Sequence, residues 1–172
     1  MDLEGSKTIR ALRDMVYRAL LDPDVLKACV PGCTELSGSA DEGFAATVVQ
    51  KVGPVKATFK GEVEIADQAP PESLRISGAG KGGAAGFAKG GADVTLTDLG
   101  EDTELSYKVQ AKVGGKLAQL GSRIIDGFAK KMADEFFTRF QEALSPEDEE
   151  DEAETQEDAA PKKGWFRKLV RG

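Results

Sequence analysis

The sequence predicts an α+β domain in which a curved antiparallel sheet wraps around a long C-terminal helix. Between residues 34 and 113, apolar and polar residues alternate and Gly and Pro mark the breaks, which predicts about six antiparallel strands. From Lys116 to Leu144 the apolar spacing changes to every three or four residues, which predicts one amphipathic helix. This helix needs a large apolar partner, and the strands before it are the only candidate.

The residues before this region predict one strand and two short helices. The strand falls within residues 1–11, and a helix follows that begins at Arg13 or Asp14. Asp22-Pro23 ends that helix or opens a second one through Cys29, and Pro31-Gly32 is a turn signal. The buried face of the first helix is predicted to hold Met15, Val16, Ala19 and Leu20.

The clearest strand runs from residue 55 to 65, where apolar residues take the odd positions and charged or polar residues take most of the even ones. Residues 44–52 place their apolar residues at even positions, and Gly53-Pro54 joins the two runs as an antiparallel pair. Later strands are predicted around residues 74–76, 92–96 and 105–113.

Glycine and alanine dominate residues 78–92, where Phe87 is the only bulky apolar side chain. Glycine inside a strand marks either a bend or a close approach to the backbone. Two interpretations follow and both stay open. The segment forms the mouth of a ligand cavity, or it forms a flexible hairpin tip in which glycine is merely tolerated.

Composition excludes several kinds of chemistry. The chain of 172 residues contains no histidine, which removes the commonest general base and the commonest protein metal ligand. Cys29 and Cys33 are the only cysteines, too few for a four-ligand zinc site, and we expect two reduced residues rather than a redox pair. We expect no metal, no covalent cofactor and no catalytic residue.

The net charge of -7 is unevenly spread along the chain. Residues 147–158 contain nine acidic residues and no basic one, whereas residues 161–172 contain five basic residues and no acidic one. We therefore predict a domain at 1–144, a disordered acidic linker at 145–160 and a basic amphipathic tail at 161–172 that binds anionic membranes. The predicted membrane-binding residues are Lys162, Lys163, Trp165, Phe166, Arg167, Lys168, Leu169, Val170 and Arg171.

Alternatives for the tail are a contact with its own acidic linker or with a partner protein, but neither needs the Trp165-Phe166 pair. We expect no nucleic-acid partner, because the acidic linker would repel phosphates and the body shows no basic stripe in sequence. The expected location is cytoplasmic, peripheral on the inner face of the cell membrane.

Several segments together resemble the G-subunit family of carbon monoxide dehydrogenase. They are DPDVL at 22–26, CVPGC at 29–33, KVGPVKATFKG at 51–61, GAGKGG at 78–83 and GSRII at 121–125. The resemblance covers about residues 1–144. It implies a START-like helix-grip fold of the SRPBCC superfamily, which commonly holds an apolar ligand between the sheet and the last helix. It also implies association with a molybdenum-containing dehydrogenase without binding that enzyme's redox cofactors, and recruitment of the enzyme to the membrane.

These features lead to the hypothesis of a non-catalytic carrier that takes a respiratory quinone, menaquinone or ubiquinone, from the bilayer and presents it to the dehydrogenase. The predicted ligand-binding residues are Val48, Val55, Phe59, Ile76, Phe87, Val94, Tyr107, Val109, Leu120, Ile124, Phe128 and Met132. Tyr107 would donate a hydrogen bond to a quinone carbonyl, although a buried tyrosine more often satisfies its hydroxyl within the fold. The alternatives are a ligand-free scaffold that only recruits the dehydrogenase, and a small-ligand enzyme.

Overall fold

The computed structural model describes residues 1–144, and the predicted acidic linker and basic tail lie outside the described residues. It confirms the α+β class and the order of the elements. These are β1 (Asp2–Ile9), α1 (Arg13–Leu20), α2 (Pro23–Cys29), β2 (Cys33–Ser39), β3 (Gly43–Val52), β4 (Val55–Ala69), β5 (Ser73–Lys81), β6 (Phe87–Asp98), β7 (Thr103–Gly114), α3 (Lys116–Gln119) and α4 (Ser122–Leu144). A single 3₁₀ turn, Gly83–Ala85, connects β5 to β6.

The seven strands form one antiparallel sheet in the order β1-β7-β6-β5-β4-β3-β2. Strands β2 to β7 follow one another as hairpins, and β1 pairs with β7 after the chain has passed through both short helices. The predicted run of six strands and the separate first strand are both confirmed. Because successive side chains point to opposite faces of a strand, each predicted alternation now defines an inner face toward α4 and an outer face.

The prediction of one continuous helix from residue 116 to 144 is wrong. Gly121 has φ +88°, a left-handed conformation that glycine adopts at little cost, and it separates the four-residue α3 from the 23-residue α4. The apolar spacing continues across the break, so periodicity alone did not reveal it. At 1.5 Å per residue, α4 is about 34 Å long.

The two short helices have the predicted positions but not every predicted contact. Asp22 caps α2 because its carboxylate accepts a hydrogen bond of 2.9 Å from the Asp24 amide. In α1, Met15 is only half-buried, and Tyr17 is buried at 4% exposure. The Tyr17 hydroxyl donates to the Ser73 carbonyl at 3.2 Å. Because its hydroxyl has this partner, Tyr17 can be buried as an apolar residue would be.

The main core lies between α1, α2, the C-terminal half of α4 and one part of the sheet. Phe140 is fully buried there and stacks on Phe136 with 5.5 Å between the ring centroids. The other members of the cluster include Ile9, Val16, Leu20, Val25, Leu74, Leu96, Leu105 and Leu144. Gln141 accepts a hydrogen bond of 2.8 Å from the Arg10 amide, which fixes this end of α4 beside the end of β1.

A second, smaller cluster holds the other end of α4. Val52, Leu117 and Ile125 are buried in it, and Val55, Phe59 and Phe128 are among the half-buried residues that pack around them. Because β3 and β1 lie near opposite edges of the sheet, the helix crosses the sheet from one side to the other. The two clusters are therefore joined by α4 and by the central strands.

Candidate ligand-binding site

Strand pairing arranges the inner side chains of the central sheet in transverse rows whose bulk falls steadily toward one end. One row contains Leu74, Val94 and Tyr107, which pair in register across β5, β6 and β7. The next row contains Ile76, Ala92 and Val109. The row after that contains Gly78, Gly90 and Ala111, and the following one Gly61, Gly80 and Ala88. Large inner side chains return in the smaller cluster at the end of these rows, where Phe59 and Val113 lie.

A cavity of about 390 Å³ lies over these rows. Its inward side chains are all apolar: Ala46, Val48, Phe59, Gly61, Val63, Ile76, Gly78, Gly80, Ala88, Gly90, Ala92, Val109 and Ala111. The volume lies within the range of roughly 300–1,000 Å³ that is common for small-molecule sites. Phe59 belongs to the smaller cluster and Ile76 contacts the main core, so the cavity lies between the two.

The cavity can supply apolar contacts but few hydrogen bonds. Strands β4, β5 and β6 are paired on both sides, so their main-chain amides and carbonyls are used within the sheet. Charged residues beside the floor, such as Glu62 and Lys89, take the outer-face positions of their strands. A ligand that suits this site is therefore largely hydrocarbon or aromatic.

Glycine is required at some floor positions and only permitted at others. A Cβ atom on Gly90 would collide with the main-chain carbonyl oxygen of Gln110, and one on Gly82 would collide with the Phe59 ring. A Cβ atom on Gly80 would meet its nearest neighbour, the Lys60 carbonyl oxygen, at 3.8 Å, which is an ordinary contact. Close approach of the backbone explains Gly90, and close approach of the ring explains Gly82 beside the floor, whereas a methyl group at Gly80 would make only ordinary contacts.

Four of the twelve residues predicted to bind a ligand line this cavity: Val48, Phe59, Ile76 and Val109. Val55, Leu120 and Phe128 pack in the smaller cluster, while Val94 and Tyr107 pack in or against the main core. Met132 is half-buried. Phe87 and Ile124 are 43% and 41% exposed, and neither lines this cavity.

Two of these placements have a clear physical cause. Phe87 takes an outer-face position at the start of β6, where its ring covers Gly114. Tyr107 stacks on Phe137 with 5.4 Å between the centroids, and its hydroxyl lies beside Gly5 rather than over the cavity. Within residues 1–144, the cavity lining comes from strands and their backbone, so the predicted wall of Leu120, Ile124, Phe128 and Met132 on the helix is not part of it.

The residues missed from the sequence are mostly small. Ala46, Gly61 and Ala111 form part of the floor, and Val63 lies beside them. All four occupy inner positions of the predicted alternation, so the available signal was small side chains recurring in register on adjacent strands. The selection of bulky inner residues overlooked them.

The two cysteines are unbonded and differ in environment. Cys29 is fully buried in the main core, and burial raises the pKa of its thiol from 9.0 to about 12. Cys33 is half-buried, its pKa is also raised by burial, and its thiol donates to the Glu35 carbonyl at 3.3 Å. Over the described residues there is no group of three or more acidic or cysteine side chains placed to hold a metal ion.

Two further observations concern membranes. None of the helices within residues 1–144 combines the length and hydrophobicity needed to cross a bilayer. The predicted membrane-binding residues from Lys162 to Arg171 lie outside the part of the chain that the structure describes.

Solved structures share this fold. A conserved protein from Geobacillus kaustophilus matches with a TM-score of 0.79 and 29% identity, covering 84% of this chain and 95% of that one. A START superfamily protein from Mycobacterium smegmatis matches with a TM-score of 0.62 and 10% identity, covering 83% of this chain and 96% of that one. A protein from Thermus thermophilus matches with a TM-score of 0.60 and 15% identity, covering 83% and 95%. These similarities confirm the START-like helix-grip fold.

Sequence comparison identifies the family. No curated protein matches the chain. The family model for the G subunit of carbon monoxide dehydrogenase (CoxG) matches residues 5–145, which is most of the chain and includes every strand of the sheet beyond the start of β1. This protein therefore belongs to the CoxG family of carbon monoxide dehydrogenase G subunits.

Proposed function

We propose that this protein is a non-catalytic accessory protein of a molybdenum-containing carbon monoxide dehydrogenase, and that it carries a respiratory quinone between the membrane and that enzyme. The observation that carries the proposal is the apolar cavity over the glycine and alanine floor. Family membership supports the choice of partner, and the basic amphipathic sequence of residues 161–172 supports a membrane link.

The chemistry of the cavity suits a quinone head group. A quinone ring is flat and apolar except for two carbonyl oxygens. At Gly78, Gly80 and Gly90 the sheet surface carries no side chains, so such a ring can lie flat against it. The volume suffices for a ring and the first part of an isoprenoid chain. The remainder of a long chain, in menaquinone or ubiquinone, would extend out of the open side.

The scarcity of hydrogen-bond donors has a functional consequence. Binding would rest on apolar contact, which contributes about 25 cal/mol per Å² of buried apolar surface and is not directional. Such a site holds a hydrophobic molecule outside the bilayer without fixing it tightly. That is the behaviour required of a carrier that must also release its ligand to an enzyme.

The test uses two neighbouring alanines on opposite faces of β3. Ala46 lines the cavity, whereas Ala45 takes the next, outer-face position and is exposed. The wild-type protein, Ala46→Leu and Ala45→Leu are purified from membranes of the producing cells, extracted with organic solvent and analysed by mass spectrometry. We expect near-stoichiometric isoprenoid quinone in the wild type and in Ala45→Leu, and much less in Ala46→Leu.

Two results would contradict the carrier. One is repeated absence of any quinone or lipid from the wild-type extract, which favours the ligand-free scaffold. The other is equal ligand content in the two leucine variants, which would place the ligand elsewhere. Circular dichroism and thermal unfolding of both variants check that each remains folded.

A further inference from the structure

The outer face of the sheet carries three pairs of lysines that lie directly opposite one another on adjacent strands. The pairs are Lys51 with Lys56, Lys60 with Lys81, and Lys89 with Lys112. All six side chains are exposed, and none forms an ion pair with another described residue. Like charges directly opposite destabilise a sheet, so an external anion that neutralises these six lysines would be favourable.

These lysines occupy one end of the molecule, which we call the lysine end. It is the end where the β3–β4 and β5–β6 turns lie. In the two rows that contain Lys60, Lys81, Lys89 and Lys112, the acidic residues are Glu62 and, on the edge strand β2, Glu35. The opposite end is acidic. Its three turns, at residues 40–42, 70–72 and 99–102, contain five carboxylates and no basic residue. Charge along the strands therefore changes from mainly positive at the lysine end to negative at the opposite turns.

An exposed aromatic residue lies within the lysine end. Phe87 is 43% exposed, pairs with Lys81 on one side and with Gly114 on the other, and is two positions from Lys89 on the same face of β6. Ile124, 41% exposed, lies beside the β3–β4 turn at this same end. Large apolar side chains surrounded by lysines suit a lipid headgroup region, where the ring is buried and the ammonium groups meet phosphates.

We infer that the lysine end is a contact surface for an anionic phospholipid bilayer. A partner protein is disfavoured by the composition, because protein interfaces are enriched in Arg and depleted in Lys, and these rows contain lysine and no arginine. Lysine acts as a hydrated point charge, which suits a diffuse layer of headgroups.

The position of the cavity relates this contact to ligand entry. The row of Ala46, Gly61, Gly80 and Ala88 on the inner face lies between the two lysine rows on the outer face, so the most open part of the floor is at the same end. A bilayer at the lysine end would face the end of the sheet that holds the cavity. The inference deepens the proposed function and rests on it for this purpose, since it specifies how the domain is oriented when a ligand enters.

A single-tryptophan reporter tests the contact in the full chain. Trp165 is the only tryptophan, so Trp165→Phe provides a silent background in which Phe87→Trp or Leu99→Trp is introduced. Leu99 is the matched control, because it is 53% exposed in the acidic β6–β7 turn. With vesicles of equal parts phosphatidylglycerol and phosphatidylcholine, we expect a blue shift and quenching by brominated lipid at position 87 and neither at position 99.

Charge variants give a second, independent readout. Lys81, Lys89 and Lys112 are changed together to Gln, and Arg18, Lys27 and Lys130 form a control of equal charge change at other exposed positions. Each lysine near an anionic surface should contribute roughly fivefold to vesicle affinity. The first variant should therefore lose on the order of 100-fold in vesicle affinity, and the control much less.

Three results would overturn the inference. The protein could sediment with the vesicles while the tryptophan at position 87 shows neither a blue shift nor quenching. That result would reject this orientation of the domain and leave the tail anchor intact. Failure of the wild-type protein to sediment at all rejects the membrane link of the proposed function as well. Unchanged vesicle affinity in the Lys81, Lys89 and Lys112 variant, with weaker co-purification of the dehydrogenase, would instead make the lysine end a protein docking site.

Discussion

The two halves of the inner sheet face differ in side chains but not in strand pairing. Near Leu74, Leu96 and Leu105, large residues meet α1, α2 and the end of α4 in a closed core. Near Gly61, Gly78, Gly80 and Gly90 the same strands remain in register, yet few large side chains project from their inner face. The closed half therefore supplies most of the packed core, the smaller cluster fixes the other end of α4, and the rows between them can leave space for a ligand.

The largest expected difference between the halves is in stability. Phe140→Ala removes a fully buried ring from the closed half and should lower the free energy of unfolding by about 3–5 kcal/mol, the usual cost of such a cavity. Val48→Ala, which trims a half-buried wall of the open half, should cost less than about 1 kcal/mol. Urea titrations of both variants give the two values, and similar losses would show that the open half is packed as tightly as the closed one.

A smaller effect separates two glycines within the floor. Gly90→Ala should cost about 1–3 kcal/mol, because the new Cβ atom meets the Gln110 carbonyl oxygen and the backbone must move. Gly80→Ala should be neutral or stabilise by up to about 1 kcal/mol, since its Cβ atom makes only ordinary contacts and the unfolded chain loses freedom. Thermal unfolding measures both, and a loss at Gly80 equal to that at Gly90 would contradict the difference in packing between the two positions.

The smallest effect concerns the thiol of the closed half. Because burial raises the Cys29 pKa from 9.0 to about 12, the folded protein keeps this proton where the unfolded chain loses it. Its contribution to stability is therefore complete below about pH 9 and is lost as pH rises through about 12.

The measurement compares the wild type with Cys29→Ala between pH 8 and pH 10.5. The wild type should lose more unfolding free energy over this interval than the variant does. In native protein at pH 8, a thiol reagent should label the half-buried Cys33 well before Cys29. Equal labelling rates would show that the closed half opens readily.

Most of the fold was predictable because it rests on local patterns. Alternation marked the strands, and Gly53-Pro54 marked a hairpin, since both signals lie within a few residues. The break at Gly121 was missed because a single left-handed residue leaves the apolar period of the helix intact. Tyr17 was missed because its burial depends on a hydrogen bond to Ser73, 56 residues away.

The site was less predictable because it is formed by the lack of bulky side chains on the inner face of the sheet. Bulky inner residues such as Val94 and Tyr107 have the same sequence pattern in a packed core and in a cavity wall. The floor emerges only when Gly61, Gly80 and Ala88 are brought into one row by pairing across three strands. The lysine end has the same origin, because its six residues are scattered over five hairpin-connected strands and show no run in sequence.

Quinone binding over the glycine and alanine floor is tested most directly by an amide NMR titration of the full chain with a short-chain, water-soluble ubiquinone. The floor glycines are natural probes, because glycine amides fall in a sparsely populated region of the spectrum. We expect saturable shifts at Gly61, Gly78, Gly80 and Gly90, with the amides of Val16, Leu105 and Phe140 unchanged. Floor amides that stay unchanged at saturating quinone, or shifts confined to the closed half, would contradict binding in this cavity.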